Sequence, residues 1–235
     1  YIQHKNEPDQ ISKLNETDNE SIKSYKLIHN AHLRENDQRN HILNGLKKAK
    51  NDDLILISDV DEIPNFNSIN LSKIKNQSIM FEQEIFYYKF NRYLTNFKWF
   101  GTKACRKKDL QSPHWLRNIK NKKYPFWRID TFFSKNKYQS VKCIDNGGWH
   151  FTNIKTAKEI EFKLKSYLHH REFDEQPLSV EEIDKIIKNK QAIYDLKVDK
   201  TVNKIGNGSL LEKFETNKLP NYIKINQNNL KDWID

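Results

Sequence analysis

The chain has 235 residues, of which 36% are hydrophobic and 31% are charged, and its 41 Lys and Arg against 31 Asp and Glu give a net charge of +10. This length suits a single α/β domain that buries a core without covalent staples, and the composition excludes a disordered chain. No apolar run approaches the about 20 residues of a membrane span, and two cysteines, Cys105 and Cys143, are too few for a disulfide framework or a zinc site.

The first quarter of the chain predicts a loop, a helix and a buried strand, in that order. Residues 5–26 are polar without periodicity and predict a loop, whereas Ile42 and Leu46 mark one face of a helix predicted over residues 33–49. The continuous apolar run within residues 53–58 predicts a strand covered on both faces, as in a parallel sheet.

Further strands are predicted in the middle of the chain. Aromatic residues dominate residues 79–101, and shorter strands are predicted over residues 128–133 and 140–144. Gly147 and Gly148 predict a turn that leads into another short strand.

The last third of the chain predicts helices. Thr156 with Glu159, and Ser179 with Glu182, have the spacing of capping boxes and each predict a helix start. We therefore expect one catalytic domain over residues 1–235, loop-rich over 1–30 and mainly helical over 156–235.

An acidic pair follows the predicted buried strand. Asp59 and Asp61 are two residues apart, so in extended chain their carboxylates point to the same side. Buried strands of open α/β sheets deliver functional groups at their carboxyl ends, and hard oxygen ligands suit Mg²⁺ or Mn²⁺. Adjacent like charges repel unless a cation or donor groups compensate them. The pattern therefore favours a divalent metal site over an ordinary acidic turn.

The predicted helix brings a second group of polar residues towards this pair. A helix that leads directly into the strand runs antiparallel to it, and the lengths of the two place the first helical turn beside Asp59. Arg39 shares the helix face of Ile42 and Leu46, so we expect it to bind phosphate or ribose, or to pair with Asp59 or Asp61. The alternative is a solvated start of the helix.

Several motifs, taken in order, resemble glycosyltransferase family 17. They are the seven residues at 34–40, the Ile-Ser-Asp-Val-Asp-Glu-Ile-Pro string at 57–64, Gly-Trp-His-Phe-Thr at 148–152, the helix at 157–166, His-Arg-Glu-Phe at 170–173 and Leu-Pro-Asn-Tyr at 219–222. The resemblance runs from about residue 32 to the C-terminus. The family that these motifs resemble includes the enzyme that adds the bisecting N-acetylglucosamine to N-glycans.

The resemblance implies a GT-A-like, Rossmann-related mixed sheet flanked by helices, and an inverting transfer from a nucleotide sugar. A UDP-sugar is the expected donor, a glycan the acceptor, and Mn²⁺ or Mg²⁺ the cofactor; no nucleic acid and no membrane span in this chain are expected. Family members usually have a βαβ segment before the Arg34 region, and this sequence lacks it. Either the chain is shortened at its N-terminus or its donor pocket is incomplete.

The expected site residues fall into three groups. Donor-binding residues are Arg34, Gln38, Arg39, Asp59 and Trp149, where Trp149, like Trp99, is a candidate for stacking on a sugar face. Metal ligands are Asp59, Asp61 and His150. The catalytic base is Asp145, with Glu62, Glu172 and Asp130 as open alternatives.

Two other functions are compatible with parts of the sequence. A haloacid-dehalogenase-like phosphatase also places Asp-x-Asp after an apolar strand, although its later acidic pair is hard to find here. A non-catalytic basic domain that binds nucleic acid or glycan would account for the positive charge and for the aromatic residues interleaved with Lys. Neither alternative accounts for the whole order of motifs.

Overall fold

The protein is described here by a computed structural model, which covers residues 7–67, 69–75, 78–120, 129, 133, 141–166, 173–174, 176–194, 196, 205–206 and 208–235. It is a mixed α/β protein. The helices are α1 (Glu20–Asn40), α2 (Pro113–Asn118), α3 (Ala157–Ser166), α4 (Val180–Lys188) and α5 (Asn221–Ile225), and the strands are β1 (Leu54–Ile57), β2 (Glu62–Pro64), β3 (Ser78–Tyr87), β4 (Arg92–Trp99), β5 (Lys103–Arg106), β6 (Val141–Thr152) and β7 (Glu212–Lys213). Short 3₁₀ helices occupy His41–Leu46, Leu71–Lys73, Lys107–Asp109, Thr216–Lys218 and Gln227–Trp233.

The chain forms two compact units, Tyr1–Gln83 with Phe100–Gly148 and Glu84–Trp99 with Trp149–Asp235. In the first unit the strand order is β1-β5-β3, and β2 pairs with β6. In the second unit the order is β3-β4-β7. Strands β3 and β6 run through both units and also pair with each other.

Strand β1 confirms one prediction and corrects another. Both of its faces are covered, because Ile55 and Ile57 pack with one apolar cluster while Leu54 and Leu56 pack with a second. Its partner, however, is β5, and the two strands run antiparallel. The prediction of a parallel strand was wrong because a continuous apolar run reports coverage on two faces and carries no information about the direction of the neighbouring strand.

Helix α1 begins earlier and ends earlier than predicted. It starts at Glu20, where the Asn19 side chain accepts the Ile22 N–H at 2.9 Å as an N-cap, so residues 20–26 are helical rather than part of a loop. The buried Asn30 side chain is hydrogen-bonded to both the N–H and the C=O of Ser12, which fixes the preceding segment against the helix. After Asn40 the chain tightens into a 3₁₀ helix instead of continuing to residue 49.

Strand β6 contains the Gly147–Gly148 segment that was predicted to be a turn. The strand continues through it, with Asn146 at φ 51° and Gly148 at φ 134°. A Cβ on Gly148 would overlap the Ile63 carbonyl oxygen and lie 2.9 Å from the Asn65 nitrogen. Glycine is therefore required where β6 passes the β2 backbone.

The second unit has a core built by β3, β4 and the helices α3 and α4. Its buried members include Tyr88, Leu94, Ile160 and Ile183. Both predicted capping boxes are confirmed: at α3 the Thr156 and Glu159 side chains each accept the other's backbone N–H, and α4 begins with the same reciprocal pair.

Some predictions concern residues outside this description. The strand expected over 128–133 falls there, apart from Ile129 and Phe133, and so do Asp130, Glu172 and the His-Arg-Glu part of the 170–173 motif. Within the described part of the chain, no helix combines the length and the apolarity needed to cross a membrane.

Candidate active site

The acidic pair lies on the tight turn between β1 and β2. The turn is closed by a 3.1 Å hydrogen bond from the Glu62 N–H to the Asp59 carbonyl oxygen. The Ser58 hydroxyl donates to the Glu62 carbonyl oxygen at 3.0 Å. Asp59 and Asp61 are both half-buried, whereas Val60 between them is fully exposed. The turn thus presents two carboxylates on either side of a residue that takes no part in the core.

Two arginines approach Asp59 from different elements of the same unit. Arg117, at the end of α2, donates from Nη2 to Asp59 Oδ2. Arg39, in the last turn of α1, has its Nη2 3.7 Å from Asp59 Oδ1 and also pairs with Glu35 at 2.8 Å. The sequence prediction that Arg39 lies beside the acidic pair is therefore confirmed.

Glu62, the residue after Asp61, belongs to a buried polar network. Its side chain is fully buried and accepts from Arg117 Nη2 at 2.8 Å and from the Asp59 backbone N–H at 3.1 Å. The Thr102 hydroxyl lies 3.4 Å from the same carboxylate and shares a 2.7 Å hydrogen bond with the Ser58 hydroxyl. A carboxylate held in this way anchors the turn, and its burial makes it unsuited to remove a proton from a substrate hydroxyl.

Lys103, the first residue of β5, contacts the backbone of Arg117, which belongs to this network. It is buried and donates from Nζ to the carbonyl oxygens of Arg117 and Ile119. The pKa of Lys103 is lowered to about 8, chiefly by burial and in addition by the neighbouring Arg117 charge, while the Glu62 charge opposes the shift. Lys103 therefore binds the carbonyls that α2 leaves without helical partners, close to where that helix presents Arg117.

Arg34 and Gln38, the other donor-binding candidates on α1, lie at exposed positions. Arg34 is half-exposed, and its guanidinium pairs with Glu7, with Nε 2.8 Å from Oε2. Gln38 is exposed. Arg39 is the candidate on this helix that the structure places beside Asp59, and donor binding by Arg34 and Gln38 stays a prediction.

The remaining candidates lie on β6. Asp145 is exposed and belongs to the first unit. In the second unit, His150 is buried and stacks on Trp99, with ring centroids 4.7 Å apart and planes 26° apart. Trp149 is half-buried against the apolar cluster of Phe86 and Phe151, and its Nε1 donates to the Lys218 carbonyl oxygen at 3.1 Å. Roles in catalysis, donor binding and metal binding stay predictions for these three β6 residues.

The donor set at the turn has the chemistry that a hard divalent cation requires. Within the described ranges, no cluster of three or more His, Cys, Asp or Glu side chains is arranged to hold a metal ion. Mg²⁺ and similar ions in nucleotide sites, however, usually take one or two carboxylates and complete their shell with water and substrate phosphates. Asp59 and Asp61 supply such a pair of carboxylates, so the residues present fit this type of site.

Sequence reasoning missed Arg117 and did not foresee the burial of Glu62. Arg117 lies 58 positions after Asp59 on a helix of six residues, where the sequence offers no motif. The one available signal was Ser112 followed by Pro113, which is typical of a helix start and places Arg117 in the last turn.

Comparison with known proteins defines the class to which this fold and turn belong. The model of glycosyltransferase family 17 matches residues 9–232, nearly the whole chain. The protein therefore belongs to glycosyltransferase family 17, which confirms the resemblance seen in the sequence motifs and makes it a transferase acting between a sugar donor and a glycan acceptor. Comparisons with curated proteins and with solved structures found no match.

Proposed function

We propose that this glycosyltransferase is an inverting, metal-dependent enzyme of GT-A-like fold that uses a UDP-sugar. The transferred sugar is N-acetylglucosamine or a related hexose, and the acceptor is a glycan. The observation that supports the proposal most directly is the β1–β2 turn, which presents Asp59 and Asp61 with Arg39 beside them in a member of family 17. Carboxylates and a guanidinium together match the metal and the diphosphate of a nucleotide sugar.

The proposed donor site divides the work among the residues of the turn. Asp59 and Asp61 would hold Mn²⁺ or Mg²⁺, directly or through water. The cation would supply charge stabilisation for the departing diphosphate. Arg39 would contact a phosphate or the ribose, since its side chain is one-fifth exposed and already reaches Asp59.

Inversion requires a base on the acceptor side of the sugar. Asp145 is the candidate, because it is exposed on β6 and therefore open to a substrate hydroxyl. Glu62 is a poorer candidate, because its carboxylate is buried and bound by Arg117. Direct displacement by the acceptor oxygen breaks the bond between the anomeric carbon and the diphosphate, and the acceptor proton passes to the base.

Thermal unfolding in the presence of nucleotides tests the site. At a hundredfold excess over its dissociation constant, UDP with Mn²⁺ should stabilise the wild-type protein by about 2.7 kcal/mol, and UDP without metal should stabilise it much less. Asp61→Ala should abolish the metal-dependent part. Asp52→Ala is the matched control, since Asp52 is an exposed carboxylate of the same unit whose side chain pairs with Lys108.

The same experiment contains the result that would contradict the proposal. A metal-dependent shift of wild-type size in Asp61→Ala would remove the acidic pair from the metal site. A parallel screen of GDP and other nucleoside diphosphates identifies the nucleobase of the sugar-nucleotide donor. Once a donor is found, NMR of the product shows whether the anomeric configuration is inverted.

A further inference from the structure

The Arg117 guanidinium bridges two carboxylates of the β1–β2 turn. Its Nη2 donates both to Asp59 Oδ2 and to Glu62 Oε1, the latter at 2.8 Å, while Nη1 donates to the Gly101 carbonyl oxygen. The Arg117 side chain is only 10% exposed and that of Glu62 is fully buried. Charge-assisted hydrogen bonds in such a setting are stronger than neutral ones and fix the orientation of both partners.

Helix α2, which carries Arg117, is itself held in place by capping, by packing and by Lys103. Helix α2 has a Ser112 N-cap that accepts the Trp115 N–H at 3.0 Å, and its Leu116 is completely buried in the core of the first unit. The Lys103 ammonium group donates to the carbonyl oxygens of Arg117 and Ile119. The position of the guanidinium is thus set by the packing of the helix.

Asp59 is held twice in this arrangement. Its carboxylate is bound by Arg117, and its backbone N–H donates to Glu62, which is itself bound by Arg117. An ionised carboxylate has about four acceptor positions, so the contact of Arg117 with Oδ2 and the 3.7 Å approach of Arg39 to Oδ1 leave further positions for a ribose hydroxyl or a metal-bound water. The Asp59 side chain is 40% exposed, which provides the access that such a ligand needs.

We propose that Arg117 is a positioning residue for nucleotide binding, with Glu62 as its buried anchor. The proposal rests on the proposed function, since it assigns Asp59 to the donor site. Arg117 has no substrate contact in this scheme. It fixes the direction of the Asp59 carboxylate before the nucleotide arrives, so that this carboxylate does not need to be ordered during binding.

A test has to separate positioning from folding. Removal of Arg117 alone leaves Glu62 as a buried charge without its main partner, which is strongly destabilising. The double variant Arg117→Met/Glu62→Gln removes both charges, while the single variant Glu62→Gln retains the Arg117–Asp59 contact. The comparison of these two variants isolates the loss of the Arg117 guanidinium, and with it the contacts with Asp59 and with the Gly101 carbonyl oxygen. Leu116→Val is the control for stability, because it weakens the packing of α2 and leaves Arg117 in place.

The measurement is the dissociation constant of UDP, and of GDP in parallel, by titration calorimetry in Mn²⁺. Relative to Glu62→Gln, the double variant should bind the nucleotide about two- to tenfold more weakly, as expected when the Asp59 side chain has to be ordered during binding. Arg117→Lys should bind with an intermediate constant, because an ammonium group reaches one carboxylate without the fork geometry. Leu116→Val should lower the melting temperature and leave the dissociation constant unchanged.

Each outcome decides between the two proposals. A folded double variant that binds the nucleotide as tightly as Glu62→Gln overturns the positioning role and leaves the proposed function standing. If the double variant does not fold, Arg117→Lys decides, and wild-type binding in it overturns the positioning role. A wild-type protein that binds neither nucleotide in Mn²⁺ overturns the proposed function and the positioning role together.

Discussion

Substitution of Gly148 by Ala tests how tightly β6 is packed against the segment that follows the acidic pair. Gly148 has φ 134°, and a Cβ there would overlap the Ile63 carbonyl oxygen and lie 2.9 Å from the Asn65 nitrogen and 3.0 Å from Pro64 Cα. These three neighbours are all backbone atoms, so the overlap is relieved only by moving the backbone. Backbone strain of this kind costs about 1–3 kcal/mol, and overpacking about 1–3 kcal/mol more. We therefore expect Gly148→Ala to lower the free energy of unfolding by about 2–6 kcal/mol.

Asn146→Ala is the matched control for this experiment. Asn146 lies on the same strand with φ 51°, and it is exposed. An alanine there meets the left-handed backbone penalty of about 1–2 kcal/mol without the steric overlap. Urea denaturation of the wild type and both variants gives the comparison, with equal m-values as the check that one transition is being compared. A Gly148→Ala protein no less stable than Asn146→Ala would refute the argument from packing.

Three further substitutions test individual contacts. Ser179→Ala removes the N-cap of α4 and should lower the free energy of unfolding by about 1 kcal/mol in urea denaturation, whereas an unchanged midpoint would contradict the cap. Tyr88→Phe removes the 3.0 Å hydrogen bond to the Gln191 carbonyl oxygen and should have a similar effect in the same assay, with no loss expected if that bond is absent. Burial lowers the pKa of Lys103 to about 8, below its value in the unfolded chain, so the unfolded state binds the extra proton and stability should rise between about pH 8 and pH 10. In Lys103→Met, the free energy of unfolding should not show this rise between pH 8 and pH 10. A rise equal to that of the wild type would show that other groups cause it.

The acidic turn and one of its two arginines, Arg39, were predictable because both depend on local sequence. A short apolar run followed by Asp59 and Asp61, with Pro64 close behind, fixes where the strand ends. Arg39 was placed beside Asp59 from the lengths of a helix and a strand joined by a short connection. The 3.7 Å separation between Arg39 Nη2 and Asp59 Oδ1 confirms that placement, although the helix ends at Asn40 and a 3₁₀ helix takes over.

The antiparallel pairing of β1 and the start of α1 were not predictable in the same way. The partner of β1 is β5, whose Lys-Ala-Cys-Arg sequence lies more than forty residues away and carries little strand signal. The first turns of α1 lack the apolar periodicity on which the helix prediction relied, and they are fixed by the Asn19 cap and by the buried Asn30. In both cases the deciding interaction is a hydrogen bond to a distant or polar group, which a hydrophobic pattern does not report.

The charges around the turn give a physical reason to expect nucleotide binding to depend on a cation. The first unit places Asp59, Asp61 and Glu62 in one short segment, and three cationic side chains, Arg39, Arg117 and Lys103, lie in the network that surrounds Asp59 and Glu62. With Glu35, which pairs with Arg39 at 2.8 Å, four formal negative charges face three formal positive charges, so this cluster is close to neutral, in contrast to the strongly basic chain as a whole. A neutral cluster offers little net attraction to a diphosphate, whatever the charge of the distant surface, because salt screens surface charges beyond about 10 Å. A divalent cation at the two aspartates would turn the cluster positive at the proposed diphosphate site.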